Sequence, residues 1–276
     1  MVAIVPSYLR KLTKAQEDLA ALEEEIERYV MRDPYRVVES AESKRQPKVR
    51  HLEITSDPAN TEIPTIAAGI IYNLRSGLDH FMSALVPTKQ RGSVQFPIYF
   101  RGVWEDAVGV ENGQREKERG RWRSDTKALQ EPVLDILKGL QPADGAEQPE
   151  DEAHVLQTIN QLANADDHTR PPVAALGLSD CMVKWKLPDG TVQYGTGHAQ
   201  RDARGRLDTF IQDGSKLKNI PFEATSVEVA GVPVVALHIA SQGRYSPIPH
   251  LLAHAAGLIE KRIITPLIPF VRSDAQ

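Results

Sequence analysis

The chain has 276 residues, of which 41% are hydrophobic and 25% charged, and its formal net charge is −4. This composition excludes collagen-like, purely coiled-coil and wholly disordered proteins, and the length predicts about two domains or one large one. The negative charge argues against bulk electrostatic binding of duplex DNA, so we expect no duplex DNA partner, but it leaves room for a local basic site.

The sequence predicts a cytoplasmic protein. Cys181 is the only cysteine, so no intramolecular disulfide can form, which fits a reducing compartment. The first residues lack the pattern of a secretory signal peptide. No apolar run approaches the ~18 residues that a membrane span needs, so we expect no membrane partner.

Apolar spacing predicts a first helix over residues 7–31, where apolar side chains recur in alternating steps of four and three. This stripe suits a helix that lies along a bundle, or a short coiled coil with a second copy. Two strand-like runs, 35–39 and 49–54, predict a hairpin with a long connecting loop. The next elements in chain order are a helix over 62–85, a charged loop or helix over 111–125, a helix over 126–140 and a helix from about 151 to just before Pro171.

Strand patterns dominate after residue 172. The alternating run 181–186 and the run 191–194 flank Pro188-Asp189-Gly190, which predicts a hairpin. The rest of the chain is predicted as a second hairpin, with strands 225–229 and 232–239 joined across Ala230-Gly231, and a final amphipathic helix over 249–264.

These elements predict an α+β fold in two regions. Residues 1–170 form a helical bundle with the β-hairpin inserted. Residues 171–276 form a small antiparallel β-sheet that ends in a C-terminal helix. The boundary is placed at Pro171-Pro172, because a pair of prolines cannot continue the preceding helix.

The helix predicted over 62–85 has a distinctive polar face. At ~100° per residue, its apolar side chains fall within an arc of about 120°, which predicts the buried face. A merely solvated face opposite would carry Lys, Glu and Gln. This one carries the side chain types that recur in binding and catalytic sites, namely Tyr72, Asn73, Arg75, Ser76, Asp79 and His80.

Arg75, Asp79 and His80 are the candidate catalytic residues. Arginine offers a permanently charged fork that matches two phosphate oxygens, and histidine titrates near neutral pH and can move a proton. Arg75 and His80 could therefore carry metal-free phosphodiester cleavage. The structural alternative is an Arg75–Asp79 ion pair, four residues apart, that holds helices together, with His80 packed at a helix crossing.

Residues Asn73–His80 resemble the Arg-x4-6-His motif of the HEPN superfamily, helical proteins of which many are metal-independent ribonucleases. They resemble in particular bacterial and phage proteins with an "NLRSALDH" helix, followed by "QFPI", "LQP" and an Asp-Lys-His-Arg segment. This chain has Gln95-Phe96-Pro97-Ile98, Leu140-Gln141-Pro142 and Asp166–Arg170 in the same order. In the last segment, Asp167 and Thr169 stand where Lys and Arg are expected.

The resemblance implies a helical bundle that forms a homodimer, with the Arg-His helices of two copies meeting at one cleft. It implies Arg75 and His80 as the catalytic pair and Asp79 as the residue that orients them. It also implies RNA as substrate and no metal or other cofactor. We predict that the substrate contacts Tyr72, Asn73, Ser76, His168 and Arg170.

Three functions stay open from the sequence. The first is a metal-independent endoribonuclease of HEPN type, acting in phage defence or as a toxin. The second is a non-catalytic helical module that binds RNA, a nucleotide or a partner protein. The third is a metal-dependent bundle enzyme, whose ligands would come from the set His80, Asp79, His154, Asp166, Asp167 and His168.

Overall fold

A computed structural model describes residues 5–40, 49–99, 113–141, 152–166, 174–196, 214–217, 220–221, 223–239 and 244–272. Its helices of more than six residues are α1 (Ser7–Val30), α2 (Ile63–Leu85), α3 (Gly113–Thr126), α4 (Glu131–Gly139), α5 (Glu152–Asp166) and α6 (Ile248–Leu258). Its strands are β1 (Tyr35–Ser40), β2 (Val49–Ile54), β3 (Ala174–Lys186), β4 (Val192–Thr196), β5 (Ser226–Ile239) and β6 (Arg244–Pro247). The protein is α+β, with helices first, small antiparallel sheets and a C-terminal helix, so the predicted fold class is confirmed.

The chain divides into two compact units, each built from separate stretches of sequence. The first unit comprises residues 1–21, 65–172 and 249–276, and the second comprises residues 22–64 and 173–248. The chain thus passes between units at 21/22, 64/65, 172/173 and 248/249. The sequence predicted one boundary, at 170/171, which lies beside the third of these passages. The first hairpin groups with the later strands, and the last helix groups with the earlier helices.

The first unit is helical, and α1 and α2 approach each other closely within it. The rings of Tyr8 and Phe81 meet edge to face, with centroids 5.0 Å apart. A methyl group at Gly77 would lie 3.2 Å from Leu12 Cδ2, so the absence of a side chain there permits the approach. The predicted apolar faces of both helices contribute to the buried core.

The second unit contains both sheets. Strands β1 and β2 pair antiparallel, as the sequence predicted. The other sheet is antiparallel in the order β4-β3-β5-β6. Leu52 of β2 is fully buried in a cluster with residues of the larger sheet and of the segments beside it, namely Leu178, Val183, Trp185, Leu217 and Ala224.

The predicted hairpin at Pro188-Asp189-Gly190 is confirmed. Strands β3 and β4 flank this turn, and Gly190 has a φ of 86°, a conformation that glycine adopts without strain.

The second predicted hairpin, with a turn at Ala230-Gly231, is wrong. Residues Ser226–Ile239 form one strand, β5, which pairs with β3 along its length. Tight hairpin turns need a positive φ, and Gly231 does not have one. Asp180 and Cys181 of β3 together oppose the single Gly231, so the glycine marks an irregularity of the β-bulge type within a continuous ladder.

Two helices differ from their predicted bounds. The charged stretch predicted as a loop or helix is the helix α3, and it ends at Thr126, whose hydroxyl donates to the Trp122 carbonyl at 2.7 Å. The helix predicted over 126–140 begins only at Glu131, because Pro132 is accommodated best in a first turn. At the C-terminus, α6 continues into a π-helical stretch, Ile259–Ile264.

Candidate functional site

A polar cleft of about 320 Å³ lies in the helical unit, beside α2. The polar face of α2 supplies one wall, and α5 and the extended segment 94–99 supply the rest. The lining residues are Tyr72, Arg75, Ser76, Asp79 and His80 from α2, Gln95 from the segment, and Ala163 and Asn164 from α5. The cleft has the size of a small-molecule or single-nucleotide site.

Arg75 and Asp79 together hold the backbone of Phe96. Arg75 Nη1 donates to the Phe96 carbonyl at 3.0 Å, and Asp79 Oδ1 accepts the Phe96 amide N–H at 2.8 Å. Arg75 Nη2 also lies 3.1 Å from Asp79 Oδ1. Because the two residues are one helical turn apart, they present a donor and an acceptor to the backbone of the same residue.

The sequence of the segment favours this arrangement. Pro97 restricts the residue before it to extended conformations, so Phe96 cannot continue a helix. The Phe96 side chain is 1% exposed and anchors the segment in the core. The predicted structural alternative for Arg75 therefore has direct support, although the partner is a segment of extended backbone and not a second helix.

Gln141 holds the same segment from its other end. Its Oε1 accepts the Tyr99 amide N–H at 2.7 Å, and its Nε2 donates to the carbonyls of Pro97 at 3.1 Å and Leu137 at 2.9 Å. Gln141 is only 4% exposed, so these bonds are sheltered from water. Hydrogen bonds thus join three of the four motifs that carry the family resemblance: the α2 motif, Gln95-Phe96-Pro97-Ile98 and Leu140-Gln141-Pro142.

Burial sets the electrostatics of this network. Desolvation lowers the pKa of the Arg75 guanidinium, although the nearby Asp79 opposes that shift. Desolvation likewise raises the pKa of Asp79 above its ordinary value, against the charge of Arg75 and the Phe96 N–H. At neutral pH Arg75 and Asp79 are both charged, so their opposite charges offset each other. Arg75 already donates to two acceptors, the Phe96 carbonyl and the Asp79 carboxylate.

Tyr99 and Asp125 extend the network toward α3. The Tyr99 hydroxyl donates to Asp125 Oδ2 at 3.0 Å, and the Tyr99 ring meets Trp122 edge to face. Burial raises the pKa of both Tyr99 and Asp125. The segment 94–99 is therefore bound to α2 through Phe96 and to α3 through Tyr99.

His80 lies on the water-exposed side of the cleft. The residue is exposed, and its Nδ1 lies 2.9 Å from the Ser7 hydroxyl at the start of α1. This contact orients the ring and leaves Nε2 as the atom that can meet a ligand or carry a proton. His80 and Arg75 line one cleft, but they differ in environment, since Arg75 is largely buried.

Tyr72 presents an aromatic ring at the rim. Its side chain is 58% exposed, and Lys11 Nζ lies 4.8 Å from the ring centroid, in cation–π geometry. The same Lys11 Nζ donates to Asn73 Oδ1 at 3.3 Å. Asn73, a predicted substrate contact, is thus engaged with α1 and does not line the cleft.

The other predicted residues are placed as follows. Ser76 lines the cleft, whereas His168 and Arg170 lie outside the described residues, and their roles stay predictions. In the part of the chain that is described, no three His, Cys, Asp or Glu side chains gather in a way that could hold a metal ion. Asp167 and His168, two of the proposed metal ligands, lie outside that part.

Sequence reasoning missed Gln95, Asn164 and Lys11. Gln95 lay inside a motif that was noted only for its resemblance, and Asn164 and Lys11 belong to helices without a recognisable motif. Nothing in their spacing could have placed them beside α2, because these contacts join residues far apart in the chain.

Comparison of the chain with protein-family models, with curated proteins and with solved structures finds no match. Among the described residues, no helix combines the length and the apolar character needed to cross a lipid bilayer.

Proposed function

We propose that the cleft binds single-stranded RNA and accepts one unpaired nucleotide of it. The observation that carries this proposal is the composition of the lining, which joins an exposed aromatic ring, two side-chain amides, a hydroxyl and an imidazole. Single-stranded RNA is typically recognised by stacking a base on an aromatic ring and by hydrogen bonds to the base edge. Tyr72 supplies the ring, and Gln95 and Asn164 supply amide donors and acceptors.

The state of Arg75 favours base recognition over phosphate recognition inside the cleft. Its guanidinium donates to the Phe96 carbonyl and pairs with Asp79, so its charge is already balanced. A phosphate placed beside this pair would face the Asp79 carboxylate as well. A neutral base meets no such repulsion.

A second candidate function, a metal-independent endoribonuclease of HEPN type, is favoured by the position of His80. In such a reaction the 2′-hydroxyl oxygen bonds to phosphorus while the bond to the 5′-oxygen breaks. A base takes the 2′-hydroxyl proton, and an acid protonates the leaving 5′-oxygen. One imidazole cannot do both in one step, so this candidate calls for a homodimer in which a second His80 completes the site.

Binding is tested by fluorescence anisotropy with a labelled, unstructured RNA of ten nucleotides. Tyr72→Ala should weaken binding about tenfold, since stacking on an aromatic ring contributes roughly 1–3 kcal/mol per base. Tyr72→Phe should bind like the wild type, because it keeps the ring. Tyr194→Ala, which removes a 63% exposed ring from β4, is the matched control. Equal affinity of Tyr72→Ala and wild type would overturn the proposal.

Catalysis is tested on the same RNA in the presence of EDTA. His80→Ala should reduce cleavage about 100- to 10,000-fold, the usual contribution of a general acid or base, while binding changes little. His254→Ala, at another exposed histidine, should cleave normally. A wild type that binds RNA without cleaving it would remove the ribonuclease candidate and leave the binding function. A cytoplasmic location, which the lone cysteine favours, is compatible with both candidates.

A further inference from the structure

The charged side chains of residues 117–127, the later part of helix α3 and the residue after it, are sorted between two sides. Over residues 117–127 the sequence has five cationic side chains and two carboxylates. Both carboxylates, Glu118 and Asp125, are half-buried, and Asp125 accepts the Tyr99 hydroxyl. Four of the cationic residues are exposed, namely Lys117, Arg121, Arg123 and Lys127.

These four residues, the α3 basic stripe, lie on one side of the helix, with Lys127 directly after its last residue. At ~100° per residue they fall within an arc of about 160°, and they span about 15 Å along the axis. No carboxylate among the described residues forms an ion pair with any of the four. The other exposed residues of the arc are Gly120 and Ser124, which are small and uncharged.

The stripe fits a polyanion and not a lipid surface. A helix that binds a membrane surface places apolar side chains in the lipid, beside its cations. Trp122, the large apolar residue of this part of α3, is only 5% exposed and packs against Tyr99. Exposed lysine and arginine without apolar neighbours are instead typical of contacts to a phosphate backbone.

We propose that the α3 basic stripe binds the phosphate backbone of the single-stranded RNA whose base enters the cleft. This inference rests on the proposed function for the identity of the polyanion, but it depends on different residues. It also supplies what the cleft lacks, exposed cationic side chains that form no ion pair with the described carboxylates, although Asp125 attracts Arg121. At Gly120 the stripe leaves space for a ligand, since nothing lies within 4 Å of a Cβ built there.

The cleft and the stripe belong to one unit and are joined by a short segment. Gln95 lines the cleft, and Tyr99, four residues later, contacts Asp125 and Trp122 of α3. Four residues of extended chain span about 13 Å. The stripe lies on the side of α3 away from Trp122 and Tyr99, so a strand that joins the two sites also passes around this helix, whose diameter is about 10–12 Å. An RNA of about ten nucleotides, at ~3.4 Å per nucleotide, is long enough to place a base in the cleft and phosphates on the stripe.

The salt dependence of RNA binding tests the inference. Each phosphate contact to a single strand contributes a slope of about −0.7 to a plot of log affinity against log salt concentration. We expect the double variant Arg121→Gln/Arg123→Gln to make the slope shallower by about 1.4. The control Lys89→Gln/Lys261→Gln, at exposed lysines elsewhere in the same unit, should leave the slope unchanged. Circular dichroism checks that both variants are folded.

The outcomes separate this inference from the proposed function. Tyr72→Ala should lower affinity at every salt concentration and keep the wild-type slope. If Tyr72→Ala weakens RNA binding but the α3 double variant has the wild-type slope, phosphate binding by the stripe is ruled out and base binding in the cleft is supported. If only the α3 double variant changes RNA binding, phosphate binding by the stripe is supported and base binding in the cleft is ruled out. A wild type that binds vesicles with 30% phosphatidylserine through these arginines, but not RNA, overturns both.

Discussion

Arg75 has the chemistry of a catalytic residue, but its hydrogen bond and its ion pair are made within the fold. Its side chain is 15% exposed and bridges Asp79 and the Phe96 carbonyl. A buried guanidinium is costly to desolvate, and that cost is recovered only when its donors and its charge are satisfied. Arg75 meets this condition within the chain, whereas His80, on the same helix face, remains exposed to water.

Arg75→Ala should therefore act first on stability. The change leaves the Asp79 carboxylate without its counter-charge and the Phe96 carbonyl without its donor. We expect a loss of about 3 kcal/mol in the free energy of unfolding, measured by urea denaturation. The control is Arg36→Ala, which breaks the exposed pair with Glu53 and should lower the free energy of unfolding far less. Unchanged stability with lost RNA binding would assign Arg75 to the ligand instead.

Asp79 makes stability depend on pH in a direction opposite to that of an ordinary ion-paired carboxylate. Its pKa in the folded state is raised above the ordinary 3.8, because burial outweighs the attraction of Arg75. Between 3.8 and that raised value the folded state holds more protons than the unfolded state, so this contribution to stability grows as pH falls.

The stability of Asp79→Asn relative to wild type should thus decrease as pH is lowered from 7 toward 4, because only the wild type gains. Thermal unfolding in a pH series measures the difference. Asp189→Asn is the control of opposite sign when the series is extended below pH 3.8, since hydrogen bonds to Thr191 lower the pKa of Asp189. A relative stability of Asp79→Asn that rises on acidification would show that attraction by Arg75 outweighs burial.

At the scale of elements, the extended segment 94–99 organises the helical unit. Among the described residues it has no strand partner, and three side chains from two places in the sequence bind its backbone groups: Arg75 and Asp79 of α2, and Gln141. Gln95, which precedes Phe96, consequently faces the cleft. The position of the segment decides the shape of the cleft wall.

Gln141→Leu should loosen this segment more than it unfolds the protein. The change removes one acceptor and two donors and leaves the Tyr99 N–H and the Pro97 carbonyl unpaired. We expect a loss of about 2–3 kcal/mol, with much faster hydrogen exchange at the Tyr99 amide. Gln161→Leu, a half-buried glutamine of α5, serves as the comparison. Unchanged exchange at Tyr99 would show that packing of Phe96 alone holds the segment.

At the scale of the whole molecule, each compact unit draws on distant parts of the chain. Leu52 of the first hairpin is buried among residues of β3 and of the segments near 217 and 224. Arg50, which is 5% exposed, donates to the carbonyls of Pro221 and Ala224. In the helical unit, the Arg272 amide N–H donates to the Ala84 carbonyl at the end of α2.

A fragment of residues 1–170 should consequently fail to fold cooperatively. It would expose the apolar face of the β1–β2 hairpin and remove α6 from the helical unit, so neither unit would be complete. Thermal unfolding followed by circular dichroism should show a broad transition or none, where the full chain shows a cooperative one. A cooperative transition of the fragment near the full-chain temperature would restore the simple division at Pro171-Pro172.

The sequence by itself determined the α+β class, most of the helices and strands, and the face of α2 that lines the cleft. These features follow from local periodicity and turn chemistry, which act over a few residues. It could not decide between the catalytic and structural readings of Arg75, because that depends on Phe96, which is distant in the chain and brought to it by folding. The unbroken β5 and the charge sorting on α3 were likewise decided by tertiary contacts, with β3 in one case and with Tyr99 in the other, since burial and pairing across the fold outweigh local signals.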